Sequence, residues 1–230
     1  MPPFLTVSII LFIIWLVVFF LSKLTRKEQI LMSFIGLILS PGALYLAHQD
    51  YRASYLGLAA SIGIEDLLFA FSLFGLAAVA YQALLGKQAK PVGRARHKIQ
   101  NPALHWGTHL LIIFSLWIFV SLLSLILFAV TSVTAFVIGG VMIGIYIIAD
   151  RKDLLYNALF SGLIIAILVF LIEQLFFVRL YPQAAAIFWQ FDDAYGLVLG
   201  GIPLLEILWA GVVGFTVGPL YEYVRNWKLN

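Results

Sequence analysis

Seven long apolar runs separated by short polar stretches leave this chain little choice of fold. They extend over about Phe4 to Ser22, Gln29 to Ala47, Ile64 to Leu85, Trp106 to Val130, Ser132 to Ala149, Leu154 to Val178 and Pro203 to Val224. Each approaches the roughly 20 apolar residues that a helix needs to cross a hydrocarbon core about 30 Å thick. In lipid only a helix or a closed barrel satisfies its own backbone polar groups. The expectation is an all-α integral membrane protein of seven transmembrane helices. Composition agrees, with 63% hydrophobic and 11% charged residues, where a soluble domain has about 25% charged. With no cysteine, disulfides, thiolate catalysis and thiolate metal sites are excluded together. The first run lacks a basic leader and a small-residue cleavage site, so it reads as a retained helix. The weak break between Val130 and Ser132 leaves room for a shorter fourth helix. Tyr51 to Gly63 and Ala184 to Ile202, apolar but interrupted by glycines, read as interfacial or re-entrant pieces.

Basic residues set the orientation, because Lys and Arg in short loops are retained on the cytoplasmic side. Lys23, Arg26 and Lys27 follow the first run; Lys87, Lys90, Arg94, Arg96 and Lys98 follow the third. Arg151 and Lys152 follow the fifth, and Arg225 and Lys228 the seventh. Twelve of the fourteen basic residues thus fall on one side, leaving Arg52 and Arg179 on the other. The chain is expected to run N-out, C-in, as a multi-pass protein of the cell (plasma) membrane. The net charge of +3 is used up by this bias and gives no argument for nucleic acid.

The third and seventh runs echo one another. An offset of 140 places Ile62 on Ile202, Asp66 on Glu206, Phe69 on Trp209, Ala70 on Ala210 and Tyr81 on Tyr221, with Tyr55 on Tyr195 in the same register. An acid, an aromatic three residues later and a Tyr fifteen residues later recur together. Two parallel three-helix repeats joined by a connecting helix follow, related by an axis along the membrane normal. The division is residues 1–86 for the first repeat, 87–130 for a basic cytoplasmic loop and the connecting helix, and 131–230 for the second repeat.

Ionisable groups at membrane depth are costly and mark candidate sites. Here they are Glu65, Asp66, Glu173, Glu206 and Glu222. Pro203 suits the first turn of a helix, which sets Glu206 in the opening turn of the last span, with Glu65 and Asp66 in the matching place of the third. One reading has these acids complement helix dipoles, worth about 0.3 to 1 kcal/mol each. The other brings carboxyls of both repeats to a single cavity, where a carboxyl shielded from water can hold a proton toward neutral pH and act as a general acid. An olefin protonated there needs stabilisation that does not quench it, which aromatic faces supply. Phe69 and Trp209 lie three residues beyond Asp66 and Glu206, on the same helix faces.

Other chemistries find no support in the sequence. His105 and His109 share a face, but no paired histidines stand on another span, and packing or interfacial hydrogen bonding accounts for them. No lysine lies between Pro203 and Val224 to form a Schiff base with a retinal-type pigment. The pair Asp192 and Asp193 reads as a solvated outer loop rather than a Mg²⁺-diphosphate site. No Gly-rich nucleotide fingerprint is present.

At these residues the chain resembles the membrane-integral carotenoid cyclases, the heterodimeric or fused lycopene cyclase type. That family carries a Pro-Leu-Glu-Glu motif followed by aromatics in each of two three-helix repeats. The matching stretches here are Gly63-Ile64-Glu65-Asp66-Leu67-Leu68-Phe69 and Pro203-Leu204-Leu205-Glu206-Ile207-Leu208-Trp209, and Gly218-Pro219-Leu220-Tyr221-Glu222-Tyr223 looks like the family's ending. The first repeat lacks the Pro, and Leu205 stands where the first paired acid of the second is expected, so three of the family's four carboxyls remain. The resemblance implies an isomerase acting on a long linear carotenoid such as lycopene. Glu65, Asp66 and Glu206 would be its catalytic carboxyls, with Phe69, Trp209, Tyr81, Tyr221 and Glu173 lining the substrate and its cation. The reaction involves no net redox and requires no cofactor. The expected partners are an isoprenoid or carotenoid and membrane lipids, with a homo-oligomer left open. The alternatives are a non-enzymatic lipid- or isoprenoid-binding or transport protein on the same scaffold, or a related terpenoid hydratase or cyclase.

Overall fold

Backbone dihedrals and polar caps set the helix ends that hydropathy leaves vague. In the structure, a computed structural model that describes residues 3–50, 62–87, 89–91, 102–183 and 197–229, the apolar runs become α1 (Pro3–Leu21), α2 (Arg26–Asp50), α3 (Ile64–Leu85), α4 (Pro102–Phe128), α5 (Ser132–Asp150), α6 (Leu155–Glu173), α7 (Leu204–Val217) and a short α8 (Leu220–Arg225). With α7 and α8 taken as one span, seven helical segments among the described residues are long and apolar enough to cross a membrane. This matches the number read from the sequence. Two small antiparallel ribbons complete the fold. β1 (Ala89–Pro91) pairs with β4 (Trp227–Leu229), and β2 (Val198–Leu199) with β3 (Ile202–Pro203).

The break between α4 and α5 is sharper than hydropathy suggests. Ala129 sits at φ 49°, in the left-handed region that ends a helix. The Thr131 hydroxyl then caps α5 by accepting from the Thr134 N–H at 3.4 Å. Asp50, at the end of α2, accepts from the Ser132 N–H at 2.7 Å and from its hydroxyl at 2.5 Å, so a carboxyl from one helix satisfies an orphan donor at the start of another. The last span is interrupted at Gly218 and Pro219, because proline has no N–H to continue the ladder. The Gly218 carbonyl there takes a 3.1 Å hydrogen bond from Asn157 Nδ2 on α6. Beyond Glu173, α6 continues as a π-helix over Gln174–Leu180.

α3 and the last span are the most buried of the seven, while α1, α2 and α4 turn most of their surface outward. α1 and α2 pack on α3; α5 and α6 pack on α7; the two groups meet where α3 lies against α6 and α7, and α4 lies against α5. Between helices in lipid, close approach replaces the hydrophobic effect as the driving force, so small residues mark the seams. A Cβ on Gly214 would stand 2.4 Å from the Ser161 backbone oxygen, and one on Gly75 would stand 2.1 Å from the Ser33 hydroxyl. Buried donors find partners across the same seams. Trp15 Nε1 donates to Ser33 Oγ at 2.9 Å, Gln29 Nε2 to the Trp15 carbonyl at 2.9 Å, and Thr216 Oγ1 to the Gly140 carbonyl at 2.8 Å.

At the end of the bundle opposite Asp66, a buried polar cluster joins both groups. Gln82 Nε2 on α3 donates to Glu28 Oε2 on α2 at 3.0 Å and also to Glu222 Oε1 on α8. Asn157 Nδ2 donates to Glu222 Oε2 at 3.3 Å, and Ser161 Oγ to Asn157 Oδ1 at 3.0 Å. Gln82 and Glu222 are 140 residues apart, the offset of the sequence echo. Glu28 and Asn157 are each the third residue of their helix. Nearby, Arg151 donates to both Asp153 oxygens at 2.8 and 2.7 Å, to Asn226 Oδ1 and to the Trp227 carbonyl, fastening the chain's final strand beneath the α5–α6 turn. Donating to the Asp153 carboxylate raises the Arg151 pKa above its ordinary value.

Tyr55, Tyr195, Asp192, Asp193, Arg52, Arg94, Arg96, Lys98 and the side chain of His105 lie outside the described residues.

Candidate active site

A cavity of about 370 Å³ lies where the N-terminal ends of α3 and α7 meet the end of α6. Its size falls toward the low end of the roughly 300–1,000 Å³ of ligand pockets. Three carboxyls line it, from Asp66, Glu173 and Glu206, among walls that are otherwise almost wholly apolar. All three residues are buried. The backbone explains the correspondence of the first and last. Gly63 is the N-cap of α3 and Pro203 that of α7, so Asp66 and Glu206 both occupy the third helical position. There the first-turn N–H groups lack intrahelical partners and the helix dipole presents its positive end.

Two of the carboxyls, those of Asp66 and Glu206, are held by donors close in sequence. Asp66 Oδ2 accepts from the Gly63 N–H at 3.0 Å, the return arm of a capping box. Glu206 Oε2 accepts from the indole Nε1 of Trp209, one turn along the same helix. Trp209 in turn meets Phe69, with ring centroids 6.1 Å apart and planes inclined at 52°, within the usual range for aromatic pairs. The two acid-plus-aromatic units matched in the sequence thus touch in space and share one cavity wall. Glu173 joins them from the third side, at the point where α6 widens into its π-helix, a geometry frequent at functional sites.

Other candidates lie elsewhere. Glu65 is half-buried, folded back beside Gly63, and does not line the cavity. One residue along a helix is about 100° of rotation, which turns it from the face Asp66 uses. Tyr81 stacks on Phe160, with centroids 5.9 Å apart, and Tyr221 meets Trp227 edge-on at 5.7 Å. Neither lines the cavity. They sit fifteen residues beyond Asp66 and Glu206, about 22 Å along a helix. His109 is exposed on α4.

The structure adds elements that the motifs do not reveal. α4 contributes Phe114, Trp117, Ile118, Ser121, Leu122 and Leu125 to the cavity wall, and α2 contributes much of Leu39–Ala47. The stripe on α4 keeps a regular 3,1,3,1,3 spacing, which could have been read as an inward face. In so apolar a helix it carries no contrast in hydropathy. Glu28, Gln82 and Asn157 were also invisible as a cluster, because Glu28 follows a basic run that reads as solvated and the amides carry no charge.

An apolar chamber with carboxyls as its main polar groups and π-faces beside them suits proton transfer to a hydrocarbon. Its apolar lining disfavours water, and a cation formed there would meet ring faces and carboxylate oxygens. The sequence model of the family described as lycopene cyclase matches residues 127–224, from the end of α4 through α8. The match covers Glu173, Glu206 and Trp209, and reaches no residue of α3. Neither the curated proteins nor the solved structures include a match to the chain.

Proposed function

We propose that this chain, whose residues 127–224 match the lycopene cyclase family model, is a carotenoid cyclase that closes a ring at one end of a linear isoprenoid such as lycopene. The observation that carries this reading is the meeting of Asp66, Glu173 and Glu206 in one apolar cavity beside the Phe69–Trp209 pair. A carboxylic acid from the Asp66 and Glu206 pair transfers its proton to the terminal double bond, leaving a tertiary cation. The π electrons of the neighbouring olefin attack that carbon, forming the ring bond and moving the charge to a ring carbon. Loss of an adjacent ring proton to a carboxylate restores a double bond. One proton enters and one leaves, so the product is an isomer of the substrate and the enzyme is an isomerase.

The division of labour follows from the surroundings of each group. Asp66 and Glu206 supply the acid and the base. Phe69 and Trp209 present π-faces to the cation, and Glu173 opposes its charge from across the chamber. Leu205, like Glu65, stands one residue off the helix face that lines the cavity, so the reading needs no fourth carboxyl there. Glu65 fits a supporting role at the helix entrance. Residues 1–86 and 131–230 act as two parallel repeats with 87–130 between them. The chain lies N-out, C-in, with the cavity in the outer half of the cell membrane.

Expression in a lycopene-accumulating host tests the reading. The pigment is expected to convert to cyclic isomers of unchanged mass, and Glu206→Gln, which keeps the shape but removes the acidic proton, is expected to abolish conversion. Unchanged pigment with folded wild-type protein in the membrane, supplied with candidate partner subunits, would count against cyclisation. Carotenoid recovered bound but unaltered would point to a holding protein.

A further inference from the structure

We infer that the long chain of the substrate enters and rests sideways, through an opening between α2 and α4 that faces the bilayer. This inference rests on the isoprenoid reading of the cavity. α2 packs on α3 and α4 packs on α5, and both helices contribute residues to the cavity wall. On α4 the lining residues change character along one stripe. Phe114 and Trp117 are 6% and 3% exposed, whereas Ile118 and Leu122 are 48% and 40% exposed. A residue that both lines a cavity and reaches the outer surface marks its mouth.

The α2 lip is built of small residues. Gly42 and Ala43 line the cavity yet are exposed, and a Cβ added to Gly42 would meet no atom within 4 Å. Neither side chain is large enough to bridge to α4. The mouth is apolar on both lips, and a mouth at membrane depth opens to lipid tails rather than water. The three carboxyls, from α3, α6 and α7, are buried, unlike the exposed lining residues of α2 and α4.

Size and polarity together select the occupant. A cavity of about 370 Å³ accommodates the end group of a long isoprenoid but not its full length, so the remainder must leave by the mouth. A polyene leaving into water would expose apolar surface along its whole length, whereas one leaving into lipid exposes none. The buried carboxyls therefore receive one end of the molecule while the chain trails between Ala43 and Leu122 into the bilayer. Each visit processes a single end, and a second ring requires release and re-entry by the other end.

Bulk at the mouth tests this without touching the carboxyls. In a Glu206→Gln background, which holds substrate without converting it, pigment co-purifying from lycopene-accumulating membranes is measured by absorbance per protein. Ala43→Trp and Leu122→Trp, one on each lip, are expected to cut bound pigment by about tenfold or more, as overfilling a packed site does. Leu123→Trp, one residue off the stripe and exposed to lipid, is expected to change nothing, and Leu122→Ala is expected to retain pigment. Unfolding midpoints separate blockage from misfolding. Pigment retained at wild-type levels by folded Ala43→Trp and Leu122→Trp would overturn the lateral route, as would absence of pigment from the Glu206→Gln protein itself. Wild-type protein that holds the carotenoid at this mouth but leaves it unaltered would sink the cyclase reading and leave the lateral route standing.

Discussion

Replacing Gln82 by Leu should destabilise the protein more than any other single change of similar volume in α3. The amide nitrogen donates to Glu28 Oε2 at 3.0 Å and to Glu222 Oε1, and both acids are at most 3% exposed. Glu28 Oε1 already has no hydrogen-bond partner, so the substitution strips that carboxyl of the Gln82 donor as well. Glu222 retains Asn157. A typical hydrogen bond contributes about 0.5–1.5 kcal/mol, and leaving a buried acceptor unsatisfied costs about 1–3 kcal/mol of desolvation. With two such bonds sharing one nitrogen and therefore not additive, the expected loss is about 3 kcal/mol, roughly a hundredfold in the folding equilibrium. Reversible unfolding in mixed detergent micelles measures it. A Glu28→Leu change in the same chain should recover part of the loss, because it removes the group left unpaired. A Gln82→Leu protein within about 0.5 kcal/mol of wild type would refute the reasoning, and the clasp between the two helix groups would then carry no weight.

Gly214→Ala should destabilise by about 1–3 kcal/mol through overpacking, because its Cβ would stand 2.4 Å from backbone oxygen that cannot rotate away; the same unfolding assay measures it. Trp209→Leu should lower turnover by about tenfold to a hundredfold, as expected when a donor to a reacting carboxyl and a π-face are lost together. Trp209→Phe, which restores the ring but not the indole N–H, should recover part of that in the pigment-conversion assay.

The sequence was informative where physics leaves a strong local mark. Seven apolar runs give seven spans, and a proline before an acid gives Glu206 its place in the first turn of α7. The matched spacing of acid and aromatic put Phe69 and Trp209 on corresponding faces, and those rings meet. The same matching misled at Tyr81 and Tyr221, whose register is shared but whose distance along the helix takes them from the cavity. Register says which residues correspond, and only rise per residue says which can touch one substrate.

What stayed hidden belongs to contacts between distant segments. Nothing local distinguishes the cavity face of α4 from its lipid face, since both are apolar in a membrane helix. Glu28 adjoins the basic residues Arg26 and Lys27, yet it is 3% exposed, because the start of α2 lies against Gln82 of α3. Asp50 lies at the end of a helix whose apolar run stops earlier, and its role as a cap for α5 depends on a juxtaposition that the linear chain does not announce.

Reaction in deuterium oxide puts the proton-initiated mechanism to its most direct trial. If a carboxyl in equilibrium with solvent delivers the proton that starts ring closure, each ring formed in D₂O carries one deuterium, and mass spectrometry finds the cyclic product one mass unit heavier per ring than the same product formed in H₂O. Cyclic product of unaltered mass from the wild-type protein under those conditions would contradict the account.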